Sequence, residues 1–420
     1  MSLSLTFCWP SLIPGSALAA GRWGKGAMSQ IQPSQTGLDP NRHFVSDALF
    51  DPTESEPEVQ TDDKLAFAGQ WRLVWIKLRR HRLALFSGAI LILLYLLAVF
   101  AEPIAPYHQS TRDSSHILAP PQSLHLFHEG SFVGPFVYGY TQELDMEVLQ
   151  RVYTPDPTQV QPLRFFCRGD DYRFWGLVET NWHLVCAAEG GTLYLLGTDR
   201  LGRDVLSRII YGARISLTVG LIGIAVSLFL GILIGGLAGY FGGWVDNVVQ
   251  RVIETIRSLP ELPLWMALSA AVPVTWSPVL VFFAITIILG LIDWTGLARA
   301  VRSKLLALRE EDFASAARLM GARPRRIIFK HLVPNFSSHI IASATLAIPS
   351  MILGETALSY LGLGLRPPVN SWGVLLTEAQ DINIVVLYPW LMAPVIPVII
   401  AILAFNFLGD GLRDAADPYR

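Results

Sequence analysis

RAVRSKLLALREEDFASAARLMGARPRRIIFKHLVPN, residues 299–335, is the longest richly charged segment in the second half of this 420-residue chain, with strongly apolar runs on both sides. Inside it Phe313, Ala316, Ala317 and Met320 recur at i, i+3, i+4 and i+7, the spacing of one apolar stripe on a short helix. Gly321 follows, and a residue without Cβ suits the left-handed position just past a helix end. Pro324 can then open a second helix, where its missing N–H costs nothing. The stretch predicts helix, tight turn and helix, presented at one membrane surface.

Composition fixes the class. Hydrophobic residues make up 52% of the chain and charged residues 16%, and the charges gather in blocks that leave apolar runs of membrane-spanning length. The net charge of −2 does not point to nucleic acid. Lys and Arg fall beside the apolar runs instead of forming a basic domain. Three cysteines, none in a CxxC spacing, are too few for a disulfide scaffold. Cys167 and Cys186 share one polar segment, where a single bridge and two free thiols both fit the pattern.

Outward from the opening stretch, the chain divides into four parts. Residues 1–70 read as a flexible cytoplasmic tail, acidic and poor in apolar residues. Within it, SALAAG at Ser16–Gly21 lacks the basic leader of a signal peptide. An upstream start is favoured, with Met28 as the true one and 1–27 absent from the mature chain. Residues 71–101 form an interfacial helix, with Trp71, Val74, Trp75 and Leu78 on one face, and a first span at Leu83–Ala101. The dense Arg and Lys before that span place the N-terminus in the cytoplasm. Residues 102–213 then lie outside, with Phe165, Phe166, Trp175 and Trp182 enough for a small core. His108, His116, His125 and His128 match no metal-ligand spacing, and no metal site is expected.

Residues 214–420 carry five further spans, near Ile215–Tyr240, Leu262–Val272, Val279–Leu297, Ser338–Leu358 and Leu387–Leu408. The expected fold is an all-α membrane protein of six transmembrane helices, with a cytoplasmic loop at 299–335 and an extracytoplasmic insertion after the first span. Gly231, Gly235, Gly239 and Gly243 strip one helix face of side chains, so a neighbour can approach closely. Four crossings return the opening stretch to the cytoplasm, where its Arg and Lys satisfy the same charge rule.

No GxxxxGK[ST] phosphate loop, GxSxG elbow or HExxH pair occurs, so no catalytic residue is expected. Glu355 is the one carboxylate deep in a span, where a charge costs roughly 2.5–3.5 kcal/mol on insertion scales. Two readings stay open: with Ser359 it lines a solute pathway, or it hydrogen-bonds to the outer loop.

At Ser315-Ala316-Ala317, Gly321 and His331-Leu332-Val333-Pro334-Asn335 the chain resembles the EAA signature of bacterial ABC importer permeases. Ser315 stands where many members have Glu, and Glu310, Glu311 and Asp312 are the nearest carboxylates. Three more stretches resemble the dipeptide, oligopeptide and nickel permease branch. They are Gly197–Asp204 with Ser207-Arg208, Glu355–Gly364 with Pro367-Pro368 and Trp372-Gly373, and Phe405–Asp414. The resemblance implies a permease subunit in the bacterial inner membrane, both termini cytoplasmic. It implies half of a translocation pathway for peptides, nickel or a glycoside, shared with a second permease subunit in a heterodimer. Two cytoplasmic ATPases would hold ATP and Mg, with no cofactor on this chain, and a periplasmic binding protein would deliver the solute. Asp312, Phe313, Ser315, Ala316, Ala317, Arg318, Met320, Gly321 and Pro334 would form the ATPase-coupling loop. An ion-coupled secondary transporter and a membrane-anchored receptor subunit are the competing classes; no clear internal repeat supports the first.

Overall fold

A computed structural model describes residues 70–146, 150–273 and 275–416. The expected tail and the alternative start at Met28 lie outside these residues, apart from Gln70. The chain opens with α1 (Gln70–Arg80), whose Val74 and Leu78 pack on Leu412 and Ala415 near the C-terminus. The His81 side chain accepts from the Ala84 N–H and caps α2 (Arg82–Val99), the first long apolar helix; α3 (Ala101–Ile104) follows.

The all-α expectation fails in the insertion, which is built from five strands: β1 (His125–His128), β2 (Ser131–Asp145), β3 (Gln150–Pro162), β4 (Arg164–Phe174) and β5 (Val178–Cys186). The first three form an antiparallel meander and the last two a hairpin. Prolines hide these strands from the sequence, because Pro135, Pro155 and Pro157 punctuate them where an uninterrupted ladder would need N–H donors. The chain absorbs one of these, Pro157, at an irregularity, while Pro155 stays in register opposite Tyr140. Tyr138 pairs with Val160 but Gly139 with Asp156, leaving 157–159 bulged out. A disulfide joins Cys167 to Cys186 across the β4–β5 hairpin. On the chain-entropy view, closing a loop of 19 residues stabilises by about 3 kcal/mol.

The rest is helical: α4 (Val205–Phe241), α5 (Gly243–Arg257), α6 (Glu261–Ala270), α7 (Pro278–Leu308), α8 (Asp312–Leu319), α9 (Pro324–Arg326) and α10 (Val333–Asn335), with a π-helical turn at Ile327–Leu332 between the last two. Then come α11 (Ser337–Tyr360), α12 (Trp372–Thr377), α13 (Ile382–Leu387) and α14 (Val395–Ala416), the last preceded by a 3₁₀ turn at Pro389–Met392. Among the described residues, five helical segments are long and apolar enough to cross a membrane: Arg82–Val99, Val205–Phe241, Pro278–Leu308, Ser337–Tyr360 and Pro389–Ala416. The expected third span, Leu262–Val272, is only the ten-residue α6. At 1.5 Å per residue that is about 15 Å, half the hydrocarbon thickness.

Close contacts fix the helix directions. Along α4, Gly223 lies against Gly290 of α7, Gly231 against Leu297, and Gly239 against Arg302 and Leu305. Both residue numbers rise together, so α4 and α7 run parallel. Segment 242–277 therefore carries the chain back to the end where α4 began. On α11, Met351, Ile352 and Glu355 meet Gly223, Gly220 and Ser216 of α4, a falling series that makes this pair antiparallel.

The predicted glycine face is the α4–α7 seam. A Cβ on Gly235 would stand 2.4 Å from the Ala298 carbonyl oxygen, and one on Gly239 would stand 2.9 Å from that of Arg302. Gly243 is no part of it: it turns the chain at φ +54° with open space around it.

Ion pairs close the end where α4 begins. Asp199 pairs with Arg203 at 2.6 Å and with buried Arg208, which also reaches Glu378 at 2.7 Å. This buried network ties the segment before α4 to the loop after α12. Removing one partner of such a pair costs roughly 3–5 kcal/mol, because the other charge is left buried and alone.

Gly235→Val should lower stability by about 1–3 kcal/mol through overpacking at the Ala298 backbone. Gly236→Ala should be near neutral, since its nearest neighbour, Ile328, is at 3.5 Å. Thermal unfolding of the detergent-solubilised protein distinguishes them, and equal midpoints would contradict the seam.

Candidate functional site

Two groups of residues carry the functional reading: the surface formed by 309–335, and the carboxylate of Glu355. At the first, α8 is fastened from below. Ala314 and Ala317 are buried against Val301 and Leu305 of α7 and against Ile327 and Leu332 of the π-helical turn. Small side chains let α8 sit close to α7. Arg318 donates to the Arg309 carbonyl, and Arg309 donates to the carbonyls of Gly239 and Tyr240 at 3.3 and 3.2 Å. A cation there suits the negative end of the α4 dipole. Asp246 of α5 completes the clamp through a two-pronged pair with Arg302. The Arg302 guanidinium holds the Asp246 carboxyl below the usual carboxylate range.

The opposite face of α8 is exposed. Leu319 and Met320 are 89% and 81% exposed, Phe313 is 40% exposed, and Ala316 is also exposed. The predicted stripe thus divides: Phe313, Ala316 and Met320 face outward, while Ala317 faces the core. Leu319 belongs to the exposed patch too, although the periodic spacing did not select it. Asp312 opens α8 and is exposed, with Glu310 and Glu311 beside it, and Ser315 is half-buried. Glu310 is occupied by Arg309 at 2.8 Å. Gly321 turns the chain at φ +75°. Pro334 lines a cleft of ≈ 510 Å³ with Arg323, Arg325, Arg326, Phe329 and Lys330. An apolar patch with carboxylates before it and guanidinium groups after it can dock a protein surface of complementary charge.

Glu355 is fully buried in α11. It accepts from Ser216 of α4 at 3.0 Å and from Ser359 at 2.9 Å. Each serine oxygen in turn accepts a backbone N–H, from Trp372 at 3.1 Å and from Leu365 at 3.0 Å. Two hydroxyls thereby relay loop amides to one carboxylate. Trp372, fully buried, adds an indole N–H to the Ile209 carbonyl at 3.1 Å. Glu355 is thus a tie between α4, α11 and the loop that follows α11. Its contact with the outer loop runs through these two serines. The Asp199–Arg208–Glu378 network escaped sequence reading, because Glu378 lies 170 residues from Arg208.

Glu355→Gln keeps an acceptor and should shift thermal stability little. Glu355→Leu strands two buried hydroxyls at about 1–3 kcal/mol each and should lower the midpoint clearly. Similar midpoints for the two variants would contradict the tie.

The sequence matches known families and proteins. A family described as "Binding-protein-dependent transport system inner membrane component" matches residues 231–419, and "N-terminal TM domain of oligopeptide transport permease C" matches residues 69–121. Most of the insertion, including all its strands, falls between the two. The oligopeptide transport system permease protein OppC of Haemophilus influenzae is 39% identical over 245 residues, 57% of this chain and 75% of that protein. The dipeptide transport system permease protein DppC of Bacillus subtilis is 39% identical over 223 residues, 53% of this chain and 68% of that protein. A solved structure of the MetNI methionine ABC transporter, inward-facing, covers 50% of this chain and 97% of its own at 18% identity; the TM-score of 0.39 is too low to argue from. With both family segments in order and such identity over more than two thirds of these relatives, the chain belongs to the inner-membrane permeases of peptide ABC importers, of the OppC/DppC type, a transport subunit and not an enzyme, whose ATP is hydrolysed by partner ATPases.

Proposed function

We propose that this chain forms half of a peptide translocation pathway, paired with a second, non-identical permease subunit. Two cytoplasmic ATPases hold ATP and Mg, a periplasmic binding protein delivers the solute, and this chain binds no cofactor itself. The observation that carries the reading is the division of α8 into two faces. One is locked onto α7 through Ala314 and Ala317, and the other exposes Phe313, Leu319 and Met320 to a partner. Closure of the ATPases around ATP would displace α8, and α7 with it, as a rigid body.

The parallel course of α4 and α7 supports six crossings. A chain that leaves the end of α4 and re-enters beside its start must traverse the bilayer between them. Segment 242–277 supplies that return, with α5 lying along the inner interface and α6 completing the crossing with Trp265 packed against α7 and its other face open. With basic α1 inside, both termini are cytoplasmic, the insertion is periplasmic and 299–335 is cytoplasmic. An ion-coupled transporter or a receptor subunit is not favoured, since the relatives are named as peptide permeases.

The test is retention of the ATPases during purification of the assembled transporter. Leu319→Asp with Met320→Asp leaves the buried face of α8 intact and should reduce co-purifying ATPase at least tenfold, with the permease still folded. Gly321→Val, which forces a β-branched residue to positive φ at a cost of about 1–2 kcal/mol, should uncouple ATP hydrolysis from transport. Parental ATPase retention and transport in both variants would exclude α8 as the coupling element.

A further inference from the structure

The β4–β5 hairpin ends against the last turn of the first span. At its tip Trp175 and Gly176 both adopt left-handed backbone conformations, φ +51° and +73°, and reverse the chain. Phe174 stacks on Phe100 with ring centroids 6.2 Å apart. The Trp175 indole N–H donates to the Val99 carbonyl at 3.1 Å, and its backbone N–H donates to Glu102 at 3.3 Å. The Arg214 guanidinium lies 4.3 Å from the Trp175 ring and holds Glu102 by two bonds of 2.7 and 2.6 Å. Behind the tip, the buried His183 ring bridges the carbonyls of Ala105 and Asp170 at 2.8 and 2.9 Å. The turn is therefore fixed at the level where α2 leaves the hydrocarbon.

At that level the turn presents apolar side chains outward. Leu177 is 87% exposed, Val178 60% and Trp175 51%, and these continue the exposed apolar face that Leu96, Val99 and Phe100 present at the end of α2. The turn residues 174–178 carry no charge. The next cross-strand pair, Arg173 and Glu179, is an exposed ion pair at 2.5 Å. An apolar tip bounded by charge, with a tryptophan between the two, is the layering of a membrane interface.

We propose that the β4–β5 turn is a lipid anchor. Leu177 and Val178 enter the acyl region of the leaflet around α2, Trp175 lies at headgroup depth, and the Arg173–Glu179 pair stays in water. Glu102 and Arg214 tolerate this depth because each neutralises the other. The partner is the phospholipid bilayer, since the face continues one that α2 already turns to lipid. The anchor holds the inserted domain at a fixed attitude beside the first span. The inference needs only that α2 spans the bilayer, so it can fail while the proposed partners and substrate stand.

Leu177→p-benzoylphenylalanine in the full chain tests it. The assembled transporter is reconstituted in phosphatidylethanolamine–phosphatidylglycerol vesicles with its binding protein, irradiated and analysed by mass spectrometry. The expected result is at least three times as much phospholipid adduct as protein adduct at position 177. A lower ratio, a dominant cross-link to the second permease subunit or to the binding protein, or no adduct overturns the anchor.

Discussion

The rest of the fold depends on the contact between α4 and α7. Lipid gives two apolar helices no hydrophobic reason to associate, so their attraction must come from close packing. Gly231, Gly235 and Gly239 supply it by letting the α7 backbone at Leu297, Ala298 and Arg302 reach α4 directly. Because the two helices run parallel, the seam also dictates what lies between them: a stretch that must recross the bundle before α7 can start. One packing surface thereby sets where the return segment 242–277 must run and at which end of the bundle 299–335 emerges.

Charge completes what the seam begins. At one end of α4, Arg309 caps its last carbonyls and Arg302 holds Asp246; at the other, Asp199, Arg208 and Glu378 bind the outer loops. Between these ends the buried polar groups that join helices, such as Glu355 and Ser216, are hydrogen-bonded rather than ion-paired. A displacement applied to α8 thus reaches α7 and α4 as one body. Through Ser216, Glu355 and Trp372 it continues to the loop at the far end. Such a body suits a subunit that is pushed by another protein.

Much of this was legible in the sequence because membranes impose strong patterns. The apolar runs, the basic flanks and the four-residue glycine repeat each have one physical meaning, and the long helices lie where those patterns put them. The helix, turn and helix at 312–335 follow from Gly321 and Pro324. What was hidden depends on tertiary structure. Leu319 looked incidental until the burial of Ala314 and Ala317 showed which face of α8 was spare. The strands of the insertion were masked by prolines, of which the bulge at 157–159 accommodates Pro157. The shortness of α6 was obscured because the apolar letters around Leu262–Val272 count alike in a helix and in the turn that ends it.

In the proposed mechanism α8 is the handle by which ATPases move the α4–α7 body. The most direct measurement is a structure of the complete transporter with its ATPases, binding protein and a non-hydrolysable ATP analogue. The account predicts Leu319, Met320 and Phe313 buried in an ATPase cleft, with the Gly235–Ala298 contact kept. A solvent-exposed α8, or α7 moving away from α4, would contradict it.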